Sequence, residues 1–265
     1  VNRYDVTWTS VMASILSILL SMPKERKDQT LKAILCGGQI LTRTIQKQFE
    51  DRFEVPIFEG YGLTETTSFS CINCFPAGKR RIGSIGKALP INEMSILDKN
   101  SKNVDENNIG EICIRGYNVT VGYLGLKEKN ENSFRNGWFH SGDFGRKDSD
   151  GFFYFQGRED FLIIKGGENI YPAELENVLY QHPDIIECAV IGIPHKLLGE
   201  DICAFVKCKE ESQISETELK EFCKNNIGNF KLPQKIIIIN SLNDLDDIPK
   251  GPTKKILYRE LKKYY

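Results

Sequence analysis

Three stretches of the 265-residue chain gather side chains that could hold a nucleotide. The first, "FEGYGLTETTSFS" from Phe58 to Ser70, sets Glu65 among hydroxyls just after a Tyr-Gly pair. A glycine there permits a tight turn at a strand end, where open α/β sheets bind ligands. Thr64 can hydrogen-bond a phosphate, and the Glu65 carboxylate can hold Mg2+ against phosphate oxygens. Tyr61 offers a flat face to a base. A turn satisfied by its own side chains fits the same residues. The second stretch, "GWFHSGDFGRKDSDGFFYFQGRED", runs from Gly137 to Asp160. Asp143 could accept hydrogen bonds from both hydroxyls of a ribose. Arg158 carries a fork of donors suited to sugar or phosphate oxygens. Two surface turns stitched by an ion pair would look alike. The third, "IPKGPTKKILYREL", is a loop with two prolines and a glycine that carries Lys250, Lys254 and Lys255. Such lysines are either solvated or present an ammonium to a charge-bearing transition state.

Strand ends and loops must bring these residues together. Residues 5–22 predict a helix stopped by Pro23, and "LKAILCGG" a buried strand entering a tight turn. "TRTIQKQFEDRF" has apolar residues at helical spacing, and "VPIFEGYG" is again strand-like, so the order suggests a parallel α/β sheet. From about Gly83 the runs "SIGKALPINEMSILD", "GEICIRG", "VTVGYLG" and "GFFYFQGR" predict a small antiparallel sheet or barrel, with Asp143 just past a strand. Beyond Arg158, "FLIIKGGENIYP" predicts a hairpin and Pro172 opens a helix in the position proline prefers. "IIECAVIGIP", "DICAFVKCK" and "KIIIIN" read as strands. Ser215 to Glu218 is a capping box, and "KKILYRELKKYY" predicts a basic amphipathic helix. The domain boundary is expected near Asp160, where the texture changes.

Composition narrows the classes. With 35 basic and 36 acidic residues the net charge is −1, which gives no electrostatic case for nucleic acid. The apolar fraction of 40% and charged fraction of 27% are those of a globular protein. "SVMASILSILLSM" has too few residues and too many serines to span a bilayer. Cys36, Cys113, Cys188 and Cys203 sit in apolar strand-like runs and are expected to be small buried hydrophobes. Cys71 and Cys74 form a C-x-x-C without a second pair or a nearby histidine, so zinc is not expected. Free thiols point to a reducing cytoplasm. The opening valine suggests a processed or truncated product.

In order and spacing these stretches resemble the adenylate-forming superfamily, the AMP-binding acyl- and aryl-CoA ligases with luciferase and the peptide-synthetase adenylation domains. "YGLTE" resembles that family's Y-G-x-T-E, and "WFHSGD" its W-[FY]-x-[ST]-G-D. "GEICIRG" with "GYLG" resembles its G-E-[LI]-x-[IV]-x-G and following G-Y. "GREDFLIIKGGENIYPAELE" resembles its hinge motif, and "IPKGPTKKILYREL" its closing lysine motif. The resemblance covers the whole chain.

The resemblance implies that a carboxylate attacks the α-phosphate of ATP, after which a thiol displaces AMP from the acyl-adenylate. It implies roles residue by residue. Glu65 would ligate Mg2+, Thr64 would touch phosphate and Tyr61 would stack on adenine. Gly37, Gly38 and Gln39 would line the adenine and acyl pocket. Asp143 would bind the ribose with Arg158 beside it. Lys255 would bridge carboxylate and α-phosphate. Asp160 would be the hinge of a mobile C-terminal α+β domain, residues 159–265. Lys165, Gly166 and Gly167 would then border the pantetheine arm of CoA. Residues 1–158 would be the later part of the large domain, α/β to about residue 82 and β-rich from 83 to 158. Two departures stand out. Lys254 replaces the family's glycine and competes with Lys255. The family's Ser/Thr/Gly-rich phosphate loop is not found before residue 59, so the chain is expected to be the back half of an adenylating enzyme, inactive alone. The acyl acceptor is CoA, or else the thiol of an acyl carrier protein, and a non-catalytic binding fragment is the third reading.

Overall fold

The computed structural model describes residues 2–23, 30–73, 77–239, 245–252 and 255–265. The chain divides into two compact units, Val1–Gln156 and Gly157–Tyr265.

The first unit opens with β1 (Trp8–Val11), α1 (Ala13–Ser21), β2 (Ala33–Gly37), α2 (Arg43–Phe53) and β3 (Ile57–Tyr61). These strands pair in parallel, β1 with β2 and β2 with β3. The expected helix over residues 5–22 is therefore corrected. Its first part is a strand, because Thr9 and Val11 are β-branched and the edge of β2 gives their backbone a ladder to join. Ala13, Leu16 and Phe49 of the two helices bury against Ile34, Cys36 and Ile57 of the strands. Thr42 caps α2, its Oγ1 accepting from the Ile45 N–H at 3.3 Å. The short strands β4 (Cys71–Ile72) and β5 (Lys87–Ala88) continue the sheet antiparallel, so this sheet reaches past residue 82.

A second sheet follows, from β6 (Asn92–Leu97) and β7 (Gly110–Gly116), then α3 (Lys127–Ser133), β8 (Phe134–Arg135), β9 (Trp138–Lys147) and β10 (Phe153–Arg158). Its order is β10-β9-β7-β6 with β8 on β9. "VTVGYLG" forms no strand here. Gly122 and Gly125 take positive φ, and the Asn130 side chain holds both the N–H (2.6 Å) and the carbonyl (2.8 Å) of Tyr123, which takes that backbone out of any ladder.

The second unit carries β11 (Ile163–Lys165), β12 (Glu168–Ile170), α4 (Pro172–Leu179), β13 (Ile185–His195), β14 (Gly199–Cys208), α5 (Glu216–Asn226), β15 (Lys235–Ile239) and α6 (Tyr258–Leu261). The sheet order is β12-β11-β14-β13, with β15 parallel to β14. Strand alternation splits β14 cleanly. Ile202, Ala204 and Val206 face Leu175, Leu179 and Leu219 of α4 and α5, while Cys203 and Phe205 face Leu245, Ile248 and Leu261. The helix expected over "KKILYRELKKYY" shrinks to four residues. Ile256 instead bridges Lys250, so residues 255–257 stand outside the helix.

Candidate active site

Two parallel strands end side by side at the first candidate stretch, with Gly37 of β2 opposite Gly60 of β3. The chain must then turn tightly. At Gly62 a Cβ would stand 1.6 Å from the Ser68 carbonyl oxygen, so no other residue fits there. The turn 64–66 is capped by Thr66, whose Oγ1 accepts from the Leu63 N–H at 3.0 Å. Glu65 is thus not the cap. Its carboxylate Oε1 accepts from the Tyr123 hydroxyl at 2.8 Å, and its carbonyl from the Thr120 N–H at 2.8 Å. The turn is sewn to the loop before α3, with Thr67 and Asn118 adding bonds of 2.9 and 3.0 Å. Thr64 beside it is exposed.

The structure brings Tyr61 and Asp143 together. The Tyr61 hydroxyl donates to Asp143 Oδ2 at 2.7 Å, across 82 residues of chain. Burial, then the Asp143 charge, push the phenol's ionisation far up, so it stays a donor. Asp143 is buried at 4% exposure and lies inside β9, not beyond its end as the sequence suggested. A short chain of bonds holds it there. Ser141 Oγ donates to the Ile112 carbonyl at 2.6 Å and accepts from the Asp143 N–H at 3.0 Å. Glu111 Oε1 accepts from the Gly142 N–H at 2.9 Å, where φ is +70°. Its other oxygen lies 2.6 Å from His140 Nδ1.

Glu111, Cys113 and His140 offer ligand atoms within 4.8 Å of one another. Two ligands of one tetrahedral zinc stand roughly 3.3 Å apart, given bonds of about 2.0–2.2 Å. The 2.6 Å spacing is instead that of an acid–imidazole hydrogen bond, which fixes the Gly142 turn. Glu65 suits a hard cation better. It is half-buried, and Tyr123 engages one of its two oxygens.

Gly38 has φ +79° and open space where a Cβ would be. Gln39 Oε1 accepts from the Ser14 N–H at 3.1 Å, tying the "CGGQ" turn to the start of α1. Below them Glu59 is fully buried, and burial raises its carboxyl to about 8.

The other candidates belong to the second unit. Arg158 is exposed at the end of β10, and Asp160 is exposed in the short turn Glu159–Phe161. Gly166 and Gly167 form the two-residue turn between β11 and β12, with φ +55° and +87°, as a hairpin of that length requires. The Lys165 ammonium is committed to Asp201 at 2.6 Å and lies over the Phe230 ring at 5.4 Å. Lys255 is exposed. Its rival Lys254 lies outside the described residues, as does Cys74 of the C-x-x-C pair. Sequence reasoning missed Tyr123, Ser141 and Glu111. All three lie inside recognised motifs, but nothing in a motif says which of its members touches another.

Family models match both parts of the chain. "AMP-binding enzyme" matches residues 1–124, and "AMP-binding enzyme C-terminal domain" matches residues 174–246. The chain is 35% identical over 268 residues to an oxalate–CoA ligase of Arabidopsis thaliana, covering 100% of this chain and 51% of that protein. It is 36% identical over 264 residues to a 2-succinylbenzoate–CoA ligase of Geobacillus kaustophilus, covering 99% of this chain and 52% of the relative. Among solved structures, the o-succinylbenzoate CoA synthetase of Bacillus subtilis in complex with its acyl-adenylate intermediate aligns with TM-score 0.85 and 34% identity. That alignment covers 98% of this chain and 52% of the other. ATP-bound MatB of Rhodopseudomonas palustris aligns with TM-score 0.90 and 30% identity, covering 98% and 51%. The chain spans about half the length of the curated relatives it matches.

Proposed function

Because the chain belongs to the AMP-binding enzyme family, we propose that it serves the ATP-dependent activation of a small carboxylic acid to an acyl-adenylate and its transfer to the thiol of CoA. The observation that carries this reading is the pairing of Tyr61 with buried Asp143 at 2.7 Å, beside a turn that holds Glu65 by its side chain. A base, a ribose and a phosphate belong to one small molecule, and residues suited to each gather at the end of β3. In this reading Tyr61 keeps its ring for the adenine while its hydroxyl orients Asp143 toward the ribose. Thr64 meets phosphate. Glu65 would hold Mg2+, which would neutralise charge on the phosphate oxygens. Lys255 places an ammonium between the attacking carboxylate and the α-phosphate, where charge develops. Gly37, Gly38 and Gln39 border the adenine and acyl groups, and Arg158 contributes donors to the nucleotide. Gly166 and Gly167 give a pantetheine arm close backbone access in the second half-reaction, with Asp160 as the hinge and Lys165 buttressing the turn. The relatives act on different acids, and the acid here is a small carboxylic acid of that kind.

No helix among the described residues is long and apolar enough to cross a membrane. The seven described cysteines are free, which suits a reducing compartment and, in this reading, the cytoplasm. The test is acid-dependent ATP–pyrophosphate exchange by a protein of the relatives' full length that carries this chain. Oxalate, 2-succinylbenzoate and sulfoacetate form the first panel, with CoA and an acyl carrier protein offered as rival acceptors. Exchange with one acid and thioester formation on CoA is the expected result. Absence of exchange with any aliphatic or aryl acid would end the reading, and transfer to the carrier alone would replace CoA. The 265-residue chain by itself is expected to bind Mg-ATP weakly and to form no acyl-adenylate, which calorimetry and product analysis can check.

A further inference from the structure

Lys255 sits on an exposed loop, yet a lysine that must meet two reacting groups needs a defined position. The structure shows how both ends of that loop are fixed. At its entry, Lys250 Nζ lies 2.7 Å from Glu187 Oε2 on β13 and 3.4 Å from Asp247. Asp247 is held in turn by Lys207 of β14 at 2.9 Å. The Lys250 and Glu187 side chains are only 20% and 18% exposed, so this pair is better shielded than an ordinary surface ion pair.

At the exit, Tyr258 donates its hydroxyl to Glu176 Oε1 of α4 at 3.1 Å, and its ring packs on Phe161 with centroids 4.6 Å apart. Glu176 is itself buried and accepts from the Val190 N–H at 2.9 Å. Between the anchors the backbone is pinched shut. The Leu257 N–H donates to the Pro249 carbonyl at 2.8 Å, and the Gly251 N–H to the Lys255 carbonyl at 2.9 Å. The two anchors lie on different elements, β13 and α4, of one sheet-and-helix core.

We propose that Lys250 and Tyr258 are positioning residues for Lys255, holding its loop at entry and exit through Glu187 and Glu176. This rests on the reading of Lys255 as the lysine of the adenylation step. Neither residue touches substrate. Each fixes the backbone from which the ammonium extends, and a misplacement of about 1 Å costs on the order of 100-fold in rate.

The test uses a protein of the relatives' full length carrying this chain. Lys250→Met and Tyr258→Phe should each lower kcat for ATP–pyrophosphate exchange by about 10- to 100-fold. KM for ATP should stay near its starting value, and thioester formation from supplied acyl-adenylate should change less than about twofold. Lys250→Arg, which keeps the ion pair, should restore most of the exchange. Lys255→Ala is the control for the underlying reading: if exchange survives it, that reading fails. If Lys255→Ala abolishes exchange while the two anchor variants leave it intact, or slow both half-reactions equally, the positioning role is overturned. In the 265-residue chain, amide exchange at Gly251 and Leu257 should quicken in Lys250→Met while the Val190 and Val206 amides stay protected. Unchanged exchange at Gly251 and Leu257 would count against the anchor on its own.

Discussion

A single buried carboxyl shows how far a residue's chemistry departs from its ordinary behaviour. Glu59 is fully buried, and desolvation lifts its carboxyl from 4.5 to about 8 against one backbone donor, the Leu41 N–H. An acid raised in the folded state binds its proton more tightly there than in the unfolded chain. Between pH 4.5 and 8 the unfolded chain releases that proton while the folded unit keeps it, so stability falls as pH rises through this window and levels off above it. Glu59→Gln keeps an acceptor for Leu41 and removes the titration. It should stabilise the first unit at pH 8 by a few kcal/mol, since each pH step across that window is worth about 1.4 kcal/mol, and leave stability at pH 4 nearly unchanged. Urea melts at both pH values would show it. Equal effects at the two would mean that Glu59 ionises normally. At Tyr61 the expected effect differs in kind. Tyr61→Phe strips one donor from buried Asp143 and should cost about 1–3 kcal/mol, with weaker AMP binding in the full-length setting. A silent Tyr61→Phe in both measurements would remove the pair from the site.

Elements carry a second layer of expectation, and here the sequence was legible where local chemistry decided the outcome. The capping box at Ser215 formed with bonds of 3.3 and 2.8 Å, because a serine and a glutamate three residues apart can satisfy each other's backbone without outside help. Ser215→Ala should therefore cost about 1 kcal/mol in the second unit, read from its unfolding midpoint. Pro172 at the start of α4 and the two glycines of the β11–β12 turn were legible for the same reason. The strand Trp8–Val11 was not. It exists by pairing with residues 33–36, a partner that no local window contains. The turn at Glu65 was legible in composition but not in wiring, since its partner Tyr123 lies 58 residues away. Site residues could be nominated from motif spacing, whereas the bonds that hold them are long-range facts of the fold. Gly62 joins both kinds. A tight turn there was expected, and the 1.6 Å clash awaiting any Cβ makes Gly62→Ala the most damaging single change in this loop, a loss of several kcal/mol or of folding altogether.

At the scale of the whole molecule the two units differ in how they are built. The second unit closes both faces of its sheet with its own residues. Among the described residues, Leu175, Leu179 and Leu219 cover one face, and Leu245, Ile248 and Leu261 help fill the other. Its 109 residues, Gly157–Tyr265, fall within the usual range of an independent domain. Among the described residues, nothing in those two clusters is contributed from before residue 163, so the unit has what it needs to fold alone. Among the described residues, the first unit exposes twelve large apolar side chains and the second seven. Tyr117, Val121 and Leu124 are fully exposed, and Trp8, Ile18 and Met22 are more than half exposed. Surface of that kind adds nothing to stability and favours association. Residues 157–265 expressed separately should thus be monomeric and unfold cooperatively, whereas residues 1–156 should be the less stable and more aggregation-prone piece. Calorimetry with light scattering on the two pieces measures both properties at once. In the intact chain the same difference should appear as two transitions, with Ser215→Ala lowering only the upper one and Glu59→Gln raising only the lower one at pH 8. A single transition moved by both substitutions would show that the units unfold as one.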